Sequence, residues 1–286
     1  MRKFDTFIAI DWSGAKSPEK TGAIAAATCH ANDTDTISVT TENLRRGDIA
    51  HLLEHCLSRG GRTLVGIDCN FGYAAEIGDR QFGPGWDFTT LWREVDDHSR
   101  DLPDFYAKGF WTSAKYRSFF WTSGKQNGFK LPRRRTEQEC GNQGYSFPES
   151  PFKLIGPKQV GKGGLAGMRL ARYIKNRHGG QIAVWPFEMA QCDNAKIVIC
   201  EIYPRLFLQM AGQRIKKVTN RADLETALAY FNMRGPGLET VSDHQSDAMI
   251  SAAGLRHLCG TQNPPFAPHN MDDSARRKEG WIFGVY

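Results

Sequence analysis

Phe7-Ile8-Ala9-Ile10-Asp11 and Leu64-Val65-Gly66-Ile67-Asp68 are short apolar runs that each close on a carboxylate, and Ile197-Val198-Ile199-Cys200-Glu201 closes the same way. Unbroken apolar runs of this length read as strands buried on both faces, the parallel kind. In an open α/β sheet the carboxyl ends of parallel strands share one edge, and ligands bind there. Acids gathered at that edge repel one another unless a cation sits among them. A later stretch, Ser242-Asp243-His244-Gln245-Ser246-Asp247-Ala248, reads as a helix start. Asp243 and Asp247, four apart, then share one face of that helix.

Outward from these runs, Phe4 to Asp11 reads as the first strand. Gly22 to Cys29 and Thr36 to Thr41 read as the second and third, turned at His30-Ala31-Asn32-Asp33. Ile49, Leu52, Leu53, Cys56 and Leu57 form one apolar stripe, which predicts a helix over about 48–58. Asp48 is its expected N-cap and Gly60-Gly61 its stop. Arg62 to Asp68 follows as a fourth strand. Three strands, a helix and a strand open the ribonuclease H-like layout, a mixed sheet of order 3-2-1-4-5 flanked by helices, in which the first and fourth strands lie side by side. Ile182 to Phe187 and Lys196 to Tyr203 read as the last core strands, and helices are expected over 165–175, 221–231 and 243–258. The core is thus 1–71 and 181–286. Residues 72–180 lack a strand rhythm and read as a large basic, aromatic-rich insertion within the same compact unit.

Charge placement says more than the net +6. Between Phe105 and Arg177 there are 15 Lys/Arg and 3 Asp/Glu, against 22 and 28 in the remainder. A basic segment set in an acidic body draws in polyanions, nucleic acid above all. Lys115, Arg117, Arg133, Arg134 and Arg135 lie among aromatic residues, a mixture that serves base stacking and phosphate contact. The plainer reading is a set of ties to acidic neighbours. The seven cysteines include no C-x-x-C pair, which argues against a zinc ribbon or a disulfide framework and for a reducing, cytoplasmic setting. No apolar run is long enough to cross a membrane, and the N-terminal residues do not read as a secretory signal.

Each candidate has its plainer alternative. Asp11, followed by Trp12-Ser13-Gly14, and Asp68 could each make an Asx turn. Their expected adjacency favours a metal role for both. Glu201, inside so apolar a strand, needs a metal or a partner such as Arg205. Glu188, after Trp185-Pro186-Phe187, is a weaker outer candidate. Ser242 with Gln245 forms a capping box, so Asp243 could merely complement the helix dipole. His244 is a candidate general base, or a surface residue. Gly156-Pro157-Lys158-Gln159-Val160-Gly161-Lys162-Gly163 nearly spells a P-loop but lacks the Ser or Thr after its lysine. Lys158 and Lys162 are left as candidates for holding a nucleic-acid phosphate at a helix start.

These stretches, with Ser150-Pro151-Phe152-Lys153-Leu154-Ile155-Gly156, Gln159-Val160-Gly161, Trp185-Pro186-Phe187-Glu188, Glu201-Ile202-Tyr203-Pro204 and Glu279-Gly280-Trp281-Ile282, resemble the family called domain of unknown function 429, usually described as predicted nucleases of ribonuclease H-like fold. The helix motif also looks like that of RuvC-type Holliday-junction resolvases, in which Asp-x-x-Asp or His-x-x-Asp completes a metal site. The resemblance implies a metal-dependent nuclease with two magnesium or manganese ions. Asp11, Asp68, Glu201, Asp243 and Asp247 are the expected ligands, and Asp11, Asp68, Glu201 and Asp247 carry the chemistry. Resolvases of this type are dimers, so a homodimer is a further expectation. Two rivals remain. One is an ATP-dependent phosphotransferase of the actin and sugar-kinase superfamily, with Asp11-Trp12-Ser13-Gly14 as its phosphate loop. The other is a nucleic-acid-binding protein with a degenerate site.

Overall fold

Side chains alternate across a strand, and here both sides of the central strands are apolar. The computed structural model describes residues 3–32, 35–124, 131–156, 159–214, 217–261 and 265–286. Its strands are β1 (Thr6–Asp11), β2 (Ala25–His30), β3 (Ser38–Val39), β4 (Thr63–Ile67), β5 (Ile182–Val184) and β6 (Ile197–Glu201). They form one six-stranded mixed sheet of order β3-β2-β1-β4-β6-β5. β1 pairs antiparallel with β2, and β2 with β3; β1, β4, β6 and β5 run parallel.

The expected order 3-2-1-4-5 is corrected at its far end. The strand beside β4 is the later one, β6, and the three-residue β5 lies outside it. A central position needs a strand that is apolar toward both layers, and the five fully buried residues of β6 meet that demand. The third strand is also shorter than its expected span, only Ser38–Val39.

Phe7, Ala9, Leu64, Val198 and Cys200 face one core, shared with α7 (Pro204–Met210), α8 (Arg221–Tyr230), α9 (Asp243–Gly260) and the stretch Trp281–Val285. Ile8, Ile10, Val65, Ile67, Ile197 and Ile199 face the other. That second layer contains α1 (Arg46–Ser58), α2 (Ala75–Phe82), α3 (Phe88–Asp97), α4 (Lys108–Thr112) and α6 (Gly161–His178), while α5 (Arg135–Asn142) lies beside Glu201. Residues 72–180 therefore furnish most of one covering layer. Its rings are core: Phe110 stacks on Tyr116 at 4.3 Å, and Trp86, Trp92, Trp111 and Phe120 are buried. Buried rings cannot stack on bases; Phe119 and Trp121 are only partly buried, and Phe147 is exposed.

Two helix starts show local chemistry at work. At α9 the capping box is in place: Ser242 Oγ accepts from Gln245 N–H, and Gln245 Oε1 accepts from Ser242 N–H, both at 3.1 Å. At α1 the N-cap is Arg45, three residues before the expected Asp48. Asp48 sits at the third helical position and accepts from Arg45 N–H at 2.7 Å. Phe152 to Ile155 is not a strand; only Lys153 bridges to Trp121.

Candidate active site at the carboxyl edge of the sheet

β1 and β4 run parallel with Ile10 opposite Ile67. The next residues, Asp11 and Asp68, therefore leave the sheet side by side, and Asp68 N–H donates to the Ile10 carbonyl at 3.0 Å. Both side chains emerge on the α9 face. α9 crosses that face on small residues (Ala248, Ala252 and Ala253 are fully buried), which brings its first turns over the two aspartates. His244 Nδ1 donates to Asp11 Oδ2 at 2.5 Å. Asp247, one turn further along, comes within electrostatic reach of Asp11 and Asp68.

The electrostatics are those of crowded acids. Burial raises the Asp11 carboxyl by more than the His244 hydrogen bond lowers it. Burial also raises Asp68 far above its ordinary value, and the charges of Asp11, Asp247 and Glu201 and a hydrogen bond to Asp11 push the same way. Asp247 is pushed up to about 7, by burial and then by Asp11 and Asp243. His244 is raised, chiefly by its bond to Asp11. Burial acts upward on Asp243 as well, but its ion pair with Lys217 and the charge of His244 leave it below the ordinary value.

Glu201 stands apart. It lies opposite Ile67 in the parallel register, and residues opposite one another project to the same face. Asp68, one residue later, projects to the other. Glu201 is held there by Arg134, with Nη2–Oε1 at 2.5 Å and Nη1–Oε2 at 2.7 Å. Arg134 also binds Glu137 and the Glu279 carbonyl. The Glu201 carboxylate is thus paired with Arg134, though it lines one cavity with Asp68 and its charge still reaches that residue. Asp243 is likewise engaged, by Lys217, at the rim. Glu188 accepts from Val184 N–H and pairs with Lys175 at 2.8 Å, within the β5–β6 connection.

The basic candidates disperse. Arg134 is buried in its acid pair and cannot meet a polyanion. Arg135 pairs with Asp272, and Lys115 with Glu94 at 3.3 Å. Arg169, Arg172, Lys175 and Arg177 are tied to Asp96, Glu188 and Glu54. Much of the local positive charge therefore binds the acidic body, as the plainer reading had it. Arg117 is exposed, and Arg133 donates to the Pro148 carbonyl beside Phe147. Lys162 lies at the start of α6, next to the acids. Lys158 falls outside the described residues.

Asp68 borders two cavities. One, of ≈160 Å³, lies between Trp12–Ala15 and the start of α6, including Lys162. The other, of ≈90 Å³, lies on the Arg134 and Glu201 side and includes Asn70. A larger cavity, ≈650 Å³, opens at the opposite end of the sheet around Phe4, Asn32 and Arg256. Among the described residues lining it the one carboxylate is Asp5, which accepts from Arg62 N–H. Volume alone would favour that cavity, but among the described residues the acids held above their ordinary values, Asp11, Asp68, Glu137 and Asp247, lie at or beside the carboxyl edge.

Three residues of this region escaped the sequence reading. Lys217 sits in a loop with no periodic signal. Asn70 and the indole of Trp12 gave only a faint one, their position just past strand ends. Among the described residues, no group of three or more His, Cys, Asp or Glu side chains forms a ready-made metal cage. No helix among the described residues is long and apolar enough to cross a membrane. No protein-family model, curated protein or solved structure matches the chain.

Proposed function

We propose that the protein is a divalent-cation-dependent phosphodiester hydrolase acting on nucleic acid, built on a ribonuclease H-like core. The observation that carries this reading is the adjacency of Asp11 and Asp68 at the ends of parallel strands, with Asp247 facing them and all three carboxyls raised. The order β3-β2-β1-β4, antiparallel and then parallel, supports the core assignment.

The donor set suits magnesium or manganese. Hard cations take carboxylate oxygens, and these acids are protonated or strained when no positive charge is among them. Asp11, Asp68 and Asp247 are the residues that would hold the cation; the Arg134-bound Glu201 and the Lys217-bound Asp243 are not. A bound divalent cation lowers the pKa of an attacking water and stabilises the leaving oxygen. The protein's own groups do the rest. Asp11 fixes the His244 ring through Nδ1, which leaves Nε2 to hand a proton to the leaving oxygen. Lys217 holds Asp243 at the rim by an ion pair.

The test is cleavage of labelled single-stranded and duplex DNA and RNA with magnesium, manganese or EDTA. Cleavage should require the cation and fall at least a hundredfold in Asp11→Asn. An Asp11→Asn protein as active as wild type would end the proposal. The Asp11–His244 bond favours a second reading, a cation-independent acid–base dyad. Its mark is cleavage that survives EDTA and disappears in His244→Ala.

A further inference from the structure

Four donors from two elements, the start of α6 and the loop after β1, border the ≈160 Å³ cavity beside Asp68. The first is Lys162, partly buried and over the ring of Trp111 at 6.0 Å. No carboxylate pairs with it among the described residues, and burial lowers its pKa. Two more are the N–H groups of Lys162 and Gly163. The first backbone bond within α6 runs from Gly164 N–H to the Val160 carbonyl, so the two preceding amides have no acceptor inside the helix. This 18-residue helix has no side-chain cap and no acid in its first turn. A lysine there sits at the positive end of the helix dipole, a placement that is unfavourable without an anion.

The fourth donor comes from the loop after β1. Arg46, fully buried, takes the carbonyls of Ser13 and Ala15. A trans peptide points its N–H opposite to its carbonyl, so the Gly14 N–H turns away from Arg46, on the side where Gly14 lines the cavity. The loop is pinned across the helix start by Trp12 Nε1, which donates to the Gly163 carbonyl at 3.0 Å. Gly14 lies so close that a Cβ there would stand 2.3 Å from Gly163 N. On the far side of Asp68, in the neighbouring ≈90 Å³ cavity, one further group lacks a partner. Asn70 is only 4% exposed, its Oδ1 accepts no hydrogen bond, and it packs against Gly164. A buried carbonyl oxygen in that position calls for a hydroxyl or water donor.

We infer that this cavity is a phosphate subsite, in which Lys162 and the amides of Gly14, Lys162 and Gly163 grip a phosphate of a single nucleic-acid strand and lay that strand across Asp68. The inference rests on the hydrolase reading and narrows its substrate. A cavity of this size takes one phosphate and part of its sugar, not the paired backbone of a rigid duplex.

The experiment is fluorescence anisotropy of a labelled single-stranded octanucleotide on the whole protein in EDTA, where cation-dependent cleavage is silent. Inorganic phosphate is the competitor, and the duplex of the same sequence the control. Lys162→Ala should weaken single-strand binding at least tenfold, Lys162→Gln similarly, and Lys162→Arg by less than about threefold. Inorganic phosphate should compete with wild type, and the duplex should bind at least tenfold more weakly. Unchanged binding in both Lys162→Ala and Lys162→Gln, or no competition by phosphate, overturns the subsite. A duplex bound as tightly as the single strand overturns the strand preference. Lys162-dependent binding without cleavage under any cation would retain the subsite and remove the hydrolase. Cleavage with Lys162-independent binding would do the reverse.

Discussion

Asp247 carries an ionisation that its surroundings oppose. Its carboxyl is pushed up to about 7 from an ordinary 3.8, by burial first and then by Asp11 and Asp243. Between those two values the folded protein binds more protons than the unfolded chain, so stability falls as pH rises through that window. Asp247→Asn removes the penalty. In EDTA at pH 8 it should stabilise the protein by roughly 1–3 kcal/mol in urea unfolding, with little change at pH 4. Magnesium should raise wild-type stability more at pH 8 than at pH 5, and this difference should shrink in Asp247→Asn. An equal magnesium effect in both proteins would remove Asp247 from the cation-holding set. At this scale the sequence was legible where an acid ended an apolar run in β1 and β4. It was not legible for Glu201, which ends a similar run. The deciding fact is register: Ile67, not Asp68, lies opposite Glu201. One residue of phase sends a side chain to the other face.

At the scale of elements, close approach of backbone to backbone decides where the site lies. The loop after β1 rests on the first turn of α6 with no room for a methyl group at Gly14. Gly14→Ala would push against backbone atoms rather than a flexible side-chain tip. It should cost about 1–3 kcal/mol, read by thermal or urea unfolding, and should weaken phosphate binding by displacing the loop. A fully stable Gly14→Ala with unchanged binding would show that the contact is loose. Helix starts were partly legible. The Ser242–Gln245 capping box marks α9 from the sequence alone because its chemistry is local. The order of β5 and β6 was not, because the place of a strand in a sheet depends on contacts with distant layers. The start of α6 is glycine-rich and without a cap, so the stripe of apolar residues located the helix only from Leu165 onward.

Over the whole molecule, two apolar layers enclose one sheet, and a buried ionic cluster ties their edge together. Arg134 joins Glu137 of α5, Glu201 of β6 and the carbonyl of Glu279. Burial raises Glu137 to about 7 even beside the guanidinium, so Glu137 relies on Arg134 for its charge. Arg134→Ala leaves Glu137 and Glu201 unpaired and should cost about 3–5 kcal/mol in urea unfolding. A loss below about 1 kcal/mol would mean that the cluster relaxes freely. The charge asymmetry of the chain was legible in the sequence, but its use was not. Counting residues cannot distinguish a basic surface from a set of internal ties, which depends on which acids the fold brings near.

Glu279 has one more duty. Its two carboxylate oxygens accept from Ala75 N–H at 2.8 Å and Arg135 N–H at 2.7 Å, and Trp281, Ile282, Phe283 and Val285 beyond it are fully or almost fully buried. Two helices far earlier in the chain thus wait for residues 279–285 to complete their first turns and the floor beneath them. Proteins are made from the N-terminus. A ribosome that still shelters this stretch in its exit tunnel therefore holds a chain with Asp11 and Asp68 already translated but one wall of the molecule open, and closure waits until the stretch has emerged.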